Sequence, residues 1–411
     1  MFSHAVFMVY VNIKRTFVQM KAYKTEIYPT KEQKQLIHQT IGNTRFVYNN
    51  FININLENIK HKRPILSGMD YSKQINHDPN TPKWLKTVSS KALKHAIMTA
   101  HTTIWKHAQG KIKHVHFRKK TKHNSFYLIG TIKVQRHRIF VPTLKWLRLK
   151  EYGYIPKNIK SVTISVKNER YYISCLSHET KDERIATSDL GIGIDFGLKA
   201  QFITKDQTFP SINKSAKVRK LEKKLRQKQR SLSRRYEQNM INKVYYKNGK
   251  HKGQLKSFEW KRPLHECKNI QKQQLVVNKI HERLARIRTD YNQKCLQSIL
   301  KQKPRFISIE DLNVKGLMKN KHLSKTISKA QWYQSRLFLQ NQCEKLGIEL
   351  RLINRFYPSN KLCSACGCKN NNLKLKDRHW TCENCHTYHD RDVNAAINIE
   401  NCQDYTVLTT V

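Results

Sequence analysis

The chain has 411 residues, which predicts two or three domains at about 150 residues each. It carries 79 Lys and Arg against 29 Asp and Glu, a formal net charge of +50, and a charge of that size favours a polyanionic partner. Nucleic acid is the expected polyanion, bound with strong salt dependence, and an anionic membrane surface is the alternative. The 38% hydrophobic content, with only 13 Gly and 10 Pro, excludes a disordered or low-complexity chain.

The first hundred or so residues predict one strand and a small helical unit. A strand is expected over Met20–Tyr28, and Thr30-x-x-Gln33 has the spacing of a helix capping box. Apolar residues then recur at helical period, and a second helix follows Pro82. The apolar stretch Ala5–Val11 is interpreted as a short strand or as a leader upstream of a natural start at Met20.

The pattern then changes to period two, which is typical of strands. Strands are expected over Ile132–Val134, Ile139–Val141, Val162–Val166 and Tyr171–Leu176. Several short strands in succession favour a small β-barrel. The polar segment His178–Ser188 is interpreted as the first domain boundary.

The second half alternates strands with longer helices. Strands are expected over Leu190–Gly197, Ala200–Thr204, Arg305–Glu310 and Ile348–Ile353, and helices over Leu275–Leu300 and Trp332–Leu346. Lys214–Arg235 predicts a cationic helix with one apolar stripe, a face that favours contact with phosphates. The basic stretch Tyr236–Pro263 is expected to be irregular, with a turn at Asn248-Gly249. No run of about 18 apolar residues occurs, so no membrane span is expected.

Cys363-x-x-Cys366 and Cys382-x-x-Cys385 form two pairs separated by residues 367–381. Each pair directs two thiolates at one point, and two such turns complete a tetrahedron around zinc. Four thiolates close the coordination shell, so one structural Zn²⁺ is predicted. Cys368 is a competitor of Cys366 for this role, whereas His379 and His386 are interpreted as surface residues.

Three acidic residues, Asp195, Glu310 and Asp392, form the second chemical signal. Asp195 and Glu310 each end an apolar strand, and Asp392 lies just beyond the last cysteine, at the start of a short helical pattern. Carboxylates at strand ends meet at the edge of a sheet. Three of them can hold two Mg²⁺ ions about 4 Å apart and hydrolyse a phosphodiester.

The spacing leaves alternatives for each acid. Asp195 can instead cap the following turn, Asp311 competes with Glu310, and Asp390 competes with Asp392.

Three segments, each containing one of the three acids, resemble the RuvC motifs of the TnpB proteins, which are transposon-encoded and related to the compact type V CRISPR effectors. They are Gly193-Ile194-Asp195-Phe196-Gly197, Ile309–Gly316 and Asp390–Ala396. Tyr357-Pro358-Ser359 before the first cysteine pair resembles the zinc-ribbon entry of that family, and segments at Lys21–Lys24, Tyr28–Gln33 and Gly42–Asn49 resemble its N-terminus. The resemblance extends from about Met20 to Asn401; residues 1–19 and the long basic stretch 236–263 depart from it.

The resemblance implies an α+β multidomain fold. A wedge-like β-barrel is expected from residues 1–30 and 111–185, interrupted by a helical recognition unit at 31–110. An RNase H-like, RuvC α/β nuclease domain is expected from 186–356 and 391–411, with a basic helical insertion at about 214–300. The zinc ribbon is inserted at 357–390.

The resemblance also implies RNA-guided cleavage of double-stranded DNA. A guide RNA from the transposon end pairs with the target strand, while the protein reads a short flanking motif. Asp195, Glu310 and Asp392 take the Mg²⁺-binding catalytic roles, with Mn²⁺ as the alternative ion, and Cys363, Cys366, Cys382 and Cys385 take the zinc. We expect a monomer within the ribonucleoprotein, in the prokaryotic cytoplasm at the nucleoid.

Three other functions fit parts of the pattern. A guide-directed DNA-binding regulator without cleavage does not need the three acids. A compact type V CRISPR effector uses a guide from a repeat array. A non-guided zinc-ribbon protein binds nucleic acid by charge alone, with a steep salt slope and no sequence preference.

Overall fold

The computed structural model describes residues 18–180, 188–374 and 376–409; the predicted element at Ala5–Val11 and most of the predicted linker lie outside these ranges. The contacts divide the chain into two compact units, Met1–Asp182 and Glu183–Val411. Within the described ranges, no helix combines the length and apolar character needed to cross a bilayer.

The first unit contains an antiparallel sheet and a group of helices. Strand β1 covers Val18–Tyr28, and the helices are α1 (Lys31–Lys60), α2 (Gly68–His77) and α3 (Ser90–Ala108), with a short 3-10 helix at Lys83–Thr87. Six further strands follow: β2 (Ser125–Ile129), β3 (Lys133–Gln135), β4 (Arg138–Val141), β5 (Lys145–Leu149), β6 (Ile159–Lys167) and β7 (Arg170–Thr180). The capping box at Thr30 and Gln33 is confirmed and begins α1.

The strands of the first unit form one seven-stranded sheet in the order β2-β6-β7-β1-β5-β4-β3. All recorded pairings are antiparallel, which confirms the predicted strands, while the barrel remains a prediction. Ile37 and Ile41 of α1 share a core with the sheet, and Phe51 and Ile97 join α1 to α3 in a second core. The predicted linker starts too early, since β7 continues to Thr180.

The second unit is built from strands and helices that alternate along the chain. It begins with β8 (Gly191–Ile194), β9 (Ala200–Ile203) and β10 (Thr208–Pro210), followed by a 3-10 helix at Ile212–Lys214. Helix α4 (Ala216–Gln238), strands β11 (Met240–Tyr245) and β12 (Leu255–Trp260), and helix α5 (Lys268–Leu300) come next. The remaining elements are β13 (Phe306–Glu310), α6 (Val314–Leu317), α7 (Ser324–Ala330), α8 (Trp332–Leu346), β14 (Glu349–Ile353), β15 (His379–Thr381), β16 (Tyr388–Asp390), α9 (Arg391–Asn401) and β17 (Tyr405–Val407).

Its main sheet has the order β17-β14-β13-β8. Strands β8, β13 and β14 are parallel, and β17 is antiparallel to β14. Buried residues of the sheet, such as Ile307 and Leu350, share a core with Leu296 of α5 and Leu339 of α8. Strand β9 pairs with β10 and reaches the end of β8 through a single antiparallel bridge between Asp195 and Ile203, so it returns beside β8 only at this point.

The stretch 236–263 differs from its prediction. It is not irregular: β11 and β12 form an antiparallel hairpin, with Gly249 at a φ of +80° between them. Its pairing register shifts at Ile241/Val244 and Val244/Tyr245. Each extra residue moves the following side chains to the other face, which removes the period-two pattern from the sequence.

The predicted cationic helix is confirmed, and it begins at Ala216 because Ser215 caps it. Val218, Leu225 and Leu232 are buried against α5. Glu222 is the one acid of the predicted segment, and its carboxylate binds Arg288 at 2.7 Å and Lys329 at 2.6 Å. The Lys and Arg side chains of this segment are exposed except that of Lys228, so its outward surface is cationic.

Candidate nuclease site and zinc ribbon

Asp195 and Glu310 are brought together by the register of two parallel strands. Ile194 of β8 pairs with Ile309 of β13. The residues that follow them in the sequence are Asp195 and Glu310, respectively. The carboxyl ends of neighbouring parallel strands lie at the same sheet edge, where ligands bind in open α/β sheets. The two acids are therefore neighbours for the reason that the sequence indicated.

Asp392 reaches the same place from α9. This helix packs on β8 so closely that a Cβ on Gly193 would overlap the carbonyl oxygen of Ala396 and lie 2.5 Å from the backbone nitrogen of Glu400. Asp392 lies in the first turn of α9. Glycine at position 193 thus lets the helix bring Asp392 towards Asp195.

The pKa of Asp195 reflects the nearby carboxylates of Glu310 and Asp392. Asp195 is only 8% exposed, and its burial, together with the charges of Glu310 and Asp392, raises the pKa of its carboxyl to about 8. Burial also raises the pKa of Glu310, and the hydroxyl of Ser359, which donates to Glu310 Oε1 at 2.7 Å, lowers it in part. Three carboxyls that repel one another in a buried site have the oxygen donor chemistry that hard divalent cations prefer.

Two arginines hold Asp392. Nη1 of Arg378 lies 2.9 Å from Oδ2 and 3.2 Å from Oδ1 of Asp392, and Nη2 of Arg391 lies 3.3 Å from Oδ1. Arg378 belongs to the segment between the cysteine pairs, and its carbonyl accepts the backbone N–H of Arg391 at 2.8 Å. No sequence pattern indicated the position of Arg378, because this residue lies in no motif and 14 residues before Asp392.

The competing acids are engaged elsewhere. Asp311 binds Arg336 at 3.1 Å and also pairs with Arg355. Asp390 caps α9, since its Oδ1 accepts the backbone N–H groups of Asp392 at 2.9 Å and Val393 at 3.0 Å. The acids whose charges raise the pKa of Asp195 are instead Glu310 and Asp392.

The four cysteines of the two pairs form a compact cluster. The sulfur atoms of Cys363, Cys366, Cys382 and Cys385 all lie within 4.8 Å of one another. In the described ranges this is the only set of three or more His, Cys, Asp or Glu side chains with that closeness, so the three acids are more widely spaced than the thiols. Such a set of four sulfurs fits the tetrahedral shell of a structural Zn²⁺.

The turns that carry the cysteines explain this geometry. The N–H of Gly367 donates to the carbonyl of Cys363 at 2.8 Å, and the N–H of His386 donates to that of Cys382 at 3.0 Å. Hydrogen bonds from the hydroxyl and backbone N–H of Thr387 lower the pKa of Cys385 to about 6, which favours the thiolate form.

The other metal-type side chains of this region lie outside the four-sulfur cluster. Cys368 is exposed, and His379 stacks on Tyr388 with ring centroids 5.7 Å apart. His389 is buried, with Nε2 3.0 Å from the sulfur of Cys363.

Two family models match parts of the chain. Residues 332–399 match the family model described as Cas12f1-like, TNB domain, and residues 20–64 match a family model described as a helix-turn-helix domain. In this chain, residues 20–64 form β1 and the single long helix α1.

Two relatives match nearly the whole chain. A Streptomyces pristinaespiralis protein named "Putative RNA-guided DNA endonuclease" is 28% identical over 92% of this chain and 88% of its own length. An Escherichia coli protein named "Putative RNA-guided DNA endonuclease InsQ" is 24% identical over 93% of this chain and 92% of its own length.

A cryo-EM structure of a Cas12f1–sgRNA–target DNA complex matches with a TM-score of 0.51 and 11% identity, over 93% of this chain and 99% of that one. This likeness establishes the fold class: a mixed α/β protein with the fold of the compact effector Cas12f1. These matches support the resemblance of the chain to the TnpB family.

Proposed function

We propose that this chain is an RNA-guided DNA endonuclease of a transposable element. The observation that carries the proposal is the meeting of Asp195, Glu310 and Asp392 at one sheet edge, in a protein whose relatives over nearly its whole length are named as such enzymes. A +50 chain needs a polyanionic partner, which a guide RNA and its DNA target supply.

The three carboxylates hold two Mg²⁺ ions, with Mn²⁺ as the alternative. When bound, such ions generate the attacking hydroxide and stabilise the leaving oxygen of the phosphodiester. Ser359 orients Glu310 through its hydroxyl, and Arg378 and Arg391 orient Asp392. The products carry a 5′-phosphate and a 3′-hydroxyl.

The four cysteines hold one structural Zn²⁺, and the segment 357–390 is the zinc ribbon. Residues 186–356 and 391–411 form the RuvC-like domain, with the basic insertion at about 214–300. The parallel strands β8, β13 and β14, and the bridge to β9, support this assignment. We assign the wedge-like barrel to the ranges 1–30 and 111–185 and the inserted helical unit to 31–110; the seven-stranded sheet and the helices of the described residues support this assignment.

The guide–target duplex is held by its backbone, since guide pairing reads the sequence. The exposed cations of α4 are one contact surface. The run Lys111–Lys122 is a second, although Arg118 is partly used within the fold: its guanidinium lies 3.8 Å from the ring centroid of Tyr48. We propose a monomer in the ribonucleoprotein, located at the nucleoid of a prokaryotic cell.

The test is to sequence the RNA that co-purifies with the protein from cells carrying its native locus, and then to assay cleavage with that RNA. We expect one dominant structured RNA that ends in a variable guide, and cleavage of duplex DNA that matches the guide beside one flanking motif. A guide of scrambled sequence is the control and should direct no cleavage of the same DNA.

The rival functions give other results. A dominant RNA that carries a CRISPR repeat indicates a type V effector. Guided binding without cleavage indicates a regulator. A heterogeneous mixture of cellular RNA, with binding that depends on salt but not on sequence, overturns the proposal in favour of a non-guided binder.

A further inference from the structure

A small pocket lies directly beside the candidate catalytic acids. It has a volume of about 190 Å³, and Glu310 is one of its lining residues. Phe196, the residue after Asp195, and Trp332, the first residue of α8, also line it and are 8% and 6% exposed. Tyr333 completes the aromatic part and is 57% exposed.

One of the residues that line the pocket carries a buried polar group without a partner. Nε1 of Trp332 is buried and has no hydrogen-bond partner among the described residues. Buried indole N–H groups usually find an acceptor, since an unpaired buried donor is costly. Trp332 and Phe196 instead contribute aromatic, apolar surface to the pocket lining, which suits a planar ring.

The charges around the pocket favour a ligand attached to phosphate. Arg336 and Arg355 line it, and both pair with Asp311. Lys315 also lines it, and within the described part of the chain no ion pair is recorded for its ammonium group. The pocket thus combines aromatic walls with a cationic rim, the combination that binds single-stranded nucleic acid.

The volume sets the size of the ligand. Pockets for drug-sized molecules span roughly 300–1,000 Å³, so about 190 Å³ suits a single ring system rather than a stretch of duplex. Stacking of one base on an aromatic side chain strengthens binding roughly five- to hundredfold.

We propose that this pocket binds one unstacked nucleobase of the DNA strand that is being cut, next to the phosphate that the three acids attack. The proposal rests on the proposed nuclease function and deepens it by assigning residues that bind one base of the substrate. A base can enter only after it has left the duplex stack, so the site accepts unpaired DNA. Tyr333 stacks on the base, and Phe196 and Trp332 form part of the apolar lining around it.

The test places a single abasic nucleotide at each position around the cut in guide-matched DNA. We expect wild-type complex to cut about tenfold more slowly when one position, adjacent to the cut, lacks its base, because the stacking contact is lost. Tyr333→Ala should cut intact DNA more slowly and lose this positional penalty, whereas Tyr333→Phe should keep it. Tyr245→Ala is the matched control: Tyr245 is 49% exposed, lies on β11 outside the pocket, and its removal should leave the penalty unchanged.

A binding measurement separates this proposal from the proposed function. Asp195→Asn protein is mixed with a single-stranded oligonucleotide that carries 2-aminopurine, whose fluorescence is quenched by stacking. We expect quenching that Tyr333→Ala abolishes and Tyr245→Ala retains. Failure of the wild type to cut any guide-matched DNA overturns the proposed function, and quenching still tests the pocket. Equal cutting at every abasic position, or equal quenching with and without the Tyr333 ring, overturns the pocket proposal.

Discussion

At the residue scale, Asp392 depends on a side chain that lies outside every recognisable motif. Arg378 bonds both carboxylate oxygens of Asp392, and its own backbone carbonyl fixes the first residue of α9. Residues that orient a metal-binding carboxylate typically contribute ten- to hundredfold to metal affinity. Under the proposed function, Arg378 is therefore a positioning residue that links the segment between the cysteine pairs to the candidate nuclease site.

We predict that Arg378→Gln weakens Mn²⁺ binding by about ten- to hundredfold and raises the Mg²⁺ concentration needed for half-maximal cleavage. Electron paramagnetic resonance titration of Mn²⁺ measures the first effect without relying on activity. Lys376→Gln, which removes an exposed charge from the same ribbon, is the control. Unchanged Mn²⁺ binding in Arg378→Gln would mean that Arg378 does not position Asp392 for the cation. Tighter binding would mean that the guanidinium competes with the cation for Asp392.

Some residues of the candidate nuclease site were predictable from the sequence, and others were not. Asp195 and Glu310 were predictable partners because strand ends of a parallel sheet share an edge. The preference for Glu310 over Asp311 gains support only from the structure, in which Arg336 and Arg355 bind Asp311. Ser359 lies in the segment that resembles the zinc-ribbon entry, yet its hydroxyl donates a hydrogen bond to Glu310.

At the scale of elements, the contact between β8 and α9 determines where Asp392 lies. We predict that Gly193→Ala lowers the free energy of unfolding by about 1–3 kcal/mol and abolishes guided cleavage, because the added Cβ forces α9 away from β8. Thermal unfolding and cleavage assays measure the two effects.

Gly42→Ala is the control for that substitution. Gly42 lies within α1, and a Cβ there would meet no atom within 4 Å. Alanine favours helix over glycine, so stability should stay the same or rise by about 0.5–1 kcal/mol. Wild-type stability and cleavage in Gly193→Ala would contradict the packing argument.

The sequence predicted an element correctly where its hydrophobic period and its capping residues indicated the same boundaries. Helix α8 was expected over Trp332–Leu346 and ends there, at Gly347 with a φ of +74°. Helix α5 begins at Lys268, before the expected Leu275, because its first turns are mostly polar and show no apolar stripe. The β11–β12 hairpin was missed because its register shifts disrupt the alternation that identifies strands.

At the scale of the whole molecule, charge and chemistry are separate properties. The net charge of +50 predicts affinity towards any polynucleotide. This affinity should weaken with salt whatever the nucleotide sequence. Under the proposed function, cleavage depends instead on three acids among 29, which the second unit gathers at one sheet edge. Substitutions at these acids should therefore separate cutting from binding.

The most direct test compares guided cleavage by the wild type with that of Asp195→Asn, Glu310→Gln and Asp392→Asn, three changes that preserve side-chain shape. Asp206→Asn, which neutralises an exposed acid, is the matched control. We predict that each of the three variants retains guide RNA and matched DNA but does not cut, while the control cuts as the wild type does. Wild-type cleavage by Asp195→Asn would contradict the assignment of the nuclease site.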